Sequence, residues 1–219
     1  MASKDDLIAS VLDITPKCGT SKPDVTWAAG TIPTGAGVIR VDTGTYTEYH
    51  ICGDLNLTGT GYLTGSSPSS DSIIIVENGS VNLANDASIN TVKTAIVMTG
   101  DNTVASQINF PNGNGKAATL SISPSTSGAN PWQGVALYQD PKLNYRPGAA
   151  FNADGLVYLP YSNVVTDGNT ASNKIKCTKF VMNSFVTNGS IDLSMSQSAS
   201  SCGAIGLKQW GGATVHLIQ

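Results

Sequence analysis

Residues 72–98 read SIIIVENGSVNLANDASINTVKTAIVM, in which two apolar runs, Ile73 to Val76 and Ala95 to Met98, enclose two weaker ones, Val81-Asn82-Leu83 and Ala87-Ser88-Ile89. The intervening Glu77-Asn78-Gly79 and Ala84-Asn85-Asp86 are corner material, since Asn, Asp and Gly accept the positive φ that tight turns require. Each run is too short for a helix and is bounded by turn residues, which predicts strands. Three short strands and their corners make one turn, and the chain returns to an equivalent apolar run after 22 residues (95 − 73).

The same unit continues outward. Val135 to Tyr138, Leu156 to Leu159 and Lys179 to Met182 are further members, with Ala204 to Leu207 a weaker last one. Runs starting at 73, 95, 135, 156, 179 and 204 are separated by steps of 22, 40, 21, 23 and 25 residues. The long step contains the strand-like Gln107 to Phe110 and Ala118 to Ser123, so it reads as one enlarged turn. A recurrence of this length built from strands is the mark of a β-solenoid. The expected fold is all-β, a right-handed parallel β-helix of about six turns over residues 49–219, with residues 1–48 as an N-terminal cap and lead-in. The competing architecture is an antiparallel sandwich, which would place hairpins at shorter intervals without a longer period.

Residues 4–14, KDDLIASVLDI, place apolar side chains at helical spacing before Pro16 ends the pattern. A short helix there would cover the open end of the solenoid, or be the remnant of a longer segment.

Composition narrows the functional classes. Of 219 residues 40% are hydrophobic but only 12% charged, so solubility must come from Ser, Thr, Asn and Gly, a balance suited to an extracellular β-protein. A net charge of −3, with Arg40 and Arg146 the sole arginines, leaves no basic stripe for nucleic acid. No apolar run reaches membrane-spanning length, and the start, MASKDDLIAS, is charged where an export signal would be apolar. An export segment is therefore not expected within this chain.

Cys18, Cys52, Cys177 and Cys202 form no Cys-x-x-Cys pair and none adjoins a histidine, which argues against zinc. Two disulfides, Cys18 with Cys52 and Cys177 with Cys202, would each tie neighbouring turns near one end of the repeat. Four free thiols in a reducing compartment are the alternative. No metal and no cofactor is expected.

Chemistry is sparse. Asp54, Asp71, Asp86, Asp101, Asp140, Asp154, Asp167 and Asp192 are spread singly along the repeat, in the manner of corner residues. GNGKAAT at 113–119 lacks the spacing of a phosphate loop, and Thr58, Thr60 and Thr64 begin a threonine array that does not continue. Insertions in solenoids often form the binding face. Trp132, Tyr138, Tyr145 and Arg146, in and beside the long insertions, are the candidate contact residues, since aromatic and arginine side chains are enriched at interfaces. Packing of the loop onto the solenoid's side is the plainer use of the same residues.

Three motifs carry a family resemblance: Cys52-Gly53-Asp54-Leu55 with the Thr-Gly-rich turn after it, Gly134-Val-Ala-Leu-Tyr138-Gln139-Asp140, and Cys177-Thr178 leading to Phe180, with Cys202-Gly203 later. In these the chain resembles the β-helical C-terminal regions of TadG-like proteins of tight-adherence pilus systems. The resemblance implies an extracellular, bacterial, pilus- or envelope-associated domain without catalytic residues to carry over. The expected role is thus a non-catalytic structural or adhesive module, with a pilus or envelope protein, or a surface glycan, as partner. The alternative is a polysaccharide lyase or hydrolase on the same scaffold, with Asp140 and Asp154 as its carboxylates.

Overall fold

The computed structural model describes residues 14–63, 71–100, 107–111, 118–139, 144–145, 150–167 and 178–188. These residues are all-β and contain no helix. The lead-in carries β1 (Val25–Ala28) and β2 (Val38–Asp42). The next turn is β3 (Tyr46–Ile51), β4 (Leu55–Thr58) and β5 (Thr60–Tyr62). It is followed by β6 (Asp71–Glu77), β7 (Val81–Leu83) and β8 (Ser88–Thr91), then β9 (Thr94–Thr99), β10 (Ile108–Asn109) and β11 (Thr119–Ile122). Beyond these come β12 (Val135–Gln139), β13 (Asn144–Tyr145), β14 (Ala150–Ala153), β15 (Gly155–Asp167) and β16 (Thr178–Asn188).

Equivalent strands stack into three sheets. The first contains β2, β3, β6, β9, β12 and β15, with β13 and β16 also paired to β15; the second is β1-β4-β7-β10; the third is β5-β8-β11-β14. Among the described strands every pairing is parallel except β2 with β3. The arrangement is a β-solenoid of about four turns. Parallel stacking excludes the hairpin sandwich for these residues. Of the helix expected over residues 4–14, all but Ile14 lies outside the described residues, as does the run Ala204 to Leu207.

Register follows the apolar runs. Ile73 stacks on Ala95, Ile96 on Leu137, Leu137 on Val157 and Leu156 on Lys179. Because β9 pairs directly with β12, the 40-residue step is a single turn with β10 and β11 as its second and third strands. The parallel ladder also extends upstream into the lead-in, where Val25 and Trp27 stack on Leu55 and Leu57.

Two burial patterns separate the sheets. Strands β4, β7, β8 and β11 alternate buried and partly exposed positions, as a strand with one face on the core must. Strands β6 and β12 are buried at every position, and β9 at all but its last. This explains why their sequences are continuous apolar runs: the centre of the first sheet, at β6, β9 and β12, has protein on both faces. One apolar cluster fills the interior, including Trp27, Ile51, Leu57, Ile74, Val76, Ile89, Ile96, Met98 and Leu120. A second covers the outside of the first sheet, joining Ile73, Ile75, Ala95 and Val97 to Trp132, Tyr138 and Tyr158. At the N-terminal end Trp27 is fully buried, its indole N–H donating to the carbonyls of Thr31 (3.0 Å) and Leu63 (3.1 Å). Strand β2, paired antiparallel to β3, forms the edge of the first sheet at that end.

Corners in the second full turn share a device. Asn78, Asp86 and Lys93 stand at its three corners with φ of 57°, 59° and 54°, one left-handed residue per change of direction. The corner between the first and second sheets is closely stacked as well. A Cβ at Gly79 would lie 2.1 Å from the Gly53 carbonyl oxygen, so only glycine fits. Replacing Gly79 by alanine is expected to cost ~3 kcal/mol, lowering the melting temperature by roughly 6–12 °C in a thermal scan. Gly19→Ala, where nothing lies within 4 Å of the new methyl, should leave the melt unchanged.

Candidate functional site

The outer face of the first sheet carries the densest chemistry among the described residues, and β6 organises it. This strand begins with Asp71 and ends with Glu77, both buried, with three isoleucines and a valine between them. Asp71 accepts hydrogen bonds from the Ser125 hydroxyl and the Asn130 amide (3.4 Å), fastening the loop that precedes β12. Glu77 accepts the backbone N–H groups of Lys17 (2.9 Å) and Cys18 (3.0 Å), fastening the N-terminal segment. The two segments cover the apolar centre of the sheet, where Trp132 from one and Ile14 from the other pack on the same cluster.

A histidine is built into the second fastening. Parallel register places His50 of β3 beside Ile75, with Glu48 two positions earlier on the same face. His50 Nδ1 lies 2.6 Å from Glu77 Oε1 and Nε2 lies 3.1 Å from Glu48 Oε2, the ring being 1% exposed. Both contacts are satisfied together when both ring nitrogens carry a proton. Burial pushes the Glu77 carboxyl up, but the hydrogen bond from His50, those from the two backbone N–H groups and the imidazole's charge outweigh it and hold the carboxyl below its ordinary range. Burial, then the charge and hydrogen bond of Glu48, push the Tyr46 hydroxyl up.

Next to this group lies the Cys18–Cys52 disulfide, the pairing expected from the sequence, with Cα atoms 5.2 Å apart and a sequence separation of 34. Closing a loop of that length restricts the unfolded chain by about 3–4 kcal/mol. Such a bond persists in oxidising compartments and is compatible with an extracellular protein. Cys177 and Cys202 lie outside the described residues.

The candidate contact residues are distributed unevenly. Trp132 is 5% and Tyr138 3% exposed; their rings meet edge to face at 5.6 Å, and Tyr138 stacks on Tyr158 at 5.6 Å with 6° between planes. They form an interior aromatic row under the loop. Tyr145 belongs to the backbone of β13, paired with Val164, while Arg146 and Asp140 lie outside the described residues. Asp154 follows β14, its backbone N–H donating to the Ile122 carbonyl (2.9 Å).

Three further carboxylates serve corners. Asp54 accepts from the Ser80 N–H (2.8 Å) and the Asn82 amide (3.2 Å), Asp24 from the Asp54 N–H (3.1 Å) and Asp42 from the Gly44 N–H (2.9 Å). Among the described residues no group of three or more His, Cys, Asp or Glu side chains could hold a metal ion. No helix there is long and apolar enough to cross a membrane.

The histidine group was hidden from sequence reading because Glu77 lies 27 residues from His50 and meets it only through the register. The available signal was the pair Glu48 and His50, which alternation puts on one face of a strand. No family model matches the chain, and neither curated proteins nor solved structures give a significant match.

Two outcomes test these roles. Glu77 has a depressed carboxyl, so its stabilisation is complete above the unfolded carboxylate range near pH 4.5 and is lost as pH falls through the lowered value. Glu77→Gln should therefore lower stability at pH 7 by on the order of 2 kcal/mol and flatten the loss of stability below pH 4.5, measured by urea denaturation across pH. Trp132→Ala should destabilise by about 3–5 kcal/mol in the same assay, the cost of emptying a packed aromatic site.

Proposed function

We propose that this chain is a non-catalytic extracellular structural or adhesive module of a bacterial surface appendage of the pilus-associated kind. In this reading it is a right-handed parallel β-helix of about six turns that presents a rigid polar exterior to a glycan, a surface or a partner protein. The carrying observation is the employment of the carboxylates. Asp24, Asp42, Asp54, Asp71 and Glu77 each accept a hydrogen bond that fixes a corner or a covering segment. Glu48 and Glu77, the pair that shares a histidine, clamp it from both sides under the N-terminal segment. A glycosidase needs two carboxyl groups facing across an open cleft. Here these six acids are occupied within the fold, bracing turns, covering segments or the buried histidine.

The motifs of the tight-adherence resemblance fall on positions that shape the solenoid. Cys52 makes the disulfide, Gly53 the close corner, Asp54 the bonds to the following turn, and Leu55 a core contact. Gly134, with φ of 74°, opens β12. The residues that carry the resemblance thus shape this chain's own fold, and the resemblance supports the reading of an exported, rigid, surface-associated part. The disulfide and the low charge agree with that setting.

The test is retention of the oxidised protein on immobilised polysaccharides and on purified pilus and envelope fractions, with released sugar ends assayed in the same wells. Retention without release is expected. Release of new reducing ends above a protein-free control would overturn the non-catalytic assignment.

A further inference from the structure

The second and third sheets both show polar outer faces, but the two differ in what their side chains do. On the second sheet, Asn56, Asn82 and Asn109 stand in register and are bonded to one another, Asn82 donating to Asn56 (3.1 Å) and Asn109 to Asn82 (2.7 Å). This amide ladder spends much of its hydrogen-bonding capacity internally. On the third sheet two outward columns run across the turns, Thr60-Ser88-Thr119 and Tyr62-Asn90-Ser121-Asn152. Asn152 donates to Ser121 (3.2 Å), whereas the side chains of Thr60, Tyr62, Ser88, Asn90 and Thr119 have no hydrogen-bond partner among the described residues.

We propose that the outer face of the third sheet is a binding surface for an uncharged, hydroxyl-rich polysaccharide chain. This rests on the non-catalytic module reading and names its ligand class. Three properties select that occupant. The two columns carry no charge, while Asp86 and Lys93 stand at the flanking corners, so a neutral chain meets neither repulsion nor an unpaired ion along the columns. The open hydroxyls and amide can both donate and accept, as sugar hydroxyls do, and stacked strands repeat them at about 4.8 Å on a rigid support. Tyr62, 45% exposed at the first turn, offers an aromatic body and a hydroxyl to a sugar ring. A protein partner would want a larger apolar centre on this face.

The experiment is affinity electrophoresis of the oxidised full chain in native gels containing laminarin or dextran, both uncharged, or polygalacturonate. The expected result is retardation by at least one uncharged polymer. Tyr62→Ala and Thr119→Glu should each weaken it about tenfold. Thr26→Glu, on the exposed outer side of the second sheet, should bind as the parent does. Thermal melts of the variants establish that each is folded. The inference is overturned if neither uncharged polymer retards the protein, or if folded Tyr62→Ala and Thr119→Glu variants are retarded like the parent. Preferential, salt-sensitive retardation by polygalacturonate would also overturn it. Binding to a purified pilus fraction without polymer binding would remove this inference while leaving the module reading intact; release of sugar ends would remove that reading itself.

Discussion

The covering segments of this solenoid follow from the need to keep water off both faces of the centre of its first sheet. A sheet with isoleucine and valine pointing outward as well as inward gains nothing from those outer side chains unless another layer covers them. The cover consists of irregular segments, which have no ladder of their own to hold them down. They are held at the two ends of β6, where Asp71 accepts from the Ser125 hydroxyl of the loop before β12 and Glu77 accepts from the backbone N–H groups of Lys17 and Cys18. A carboxylate left without those donors would be costly in such a place. Cover and clamp are therefore interdependent, and the disulfide beside Glu77 makes one of the two attachments covalent.

Much of the fold was legible because burial writes itself into the hydrophobic pattern in two scripts. Continuous runs such as Ile73 to Val76 mark strands covered on both sides, and alternating ones such as Val81-Asn82-Leu83 mark strands with one face in the core. The interval between continuous runs anticipated the stacking register, including the enlarged turn between Ile96 and Leu137. The disulfide between Cys18 and Cys52 was legible from its position at one end of the repeat.

The site was less legible, and for a physical reason. Glu77 becomes a neighbour of His50 only through stacking of whole turns, so the local spacing of Glu48 and His50 does not announce the third member. The aromatic residues of the insertion posed the opposite problem. Trp132 and Tyr138 have the composition of a contact surface, and they are also what a loop requires to seat itself on an apolar sheet. Only burial separates the two uses. The amide ladder and the open hydroxyl columns likewise share a composition of Asn, Ser and Thr, and differ only in whether neighbours are aligned to bond each other.

The enlarged third turn has a consequence for how such a chain can change. The pairing of β9 with β12 is unaffected by the extra residues between them, and the described segment between β11 and β12 joins these strands at a corner while the core positions keep their partners. Lengthening a loop costs only slowly growing entropy. Insertions at these corners are thus nearly free of the interior, and a lineage can remodel what lies over one side of the rod while its hydrophobic column stays the same.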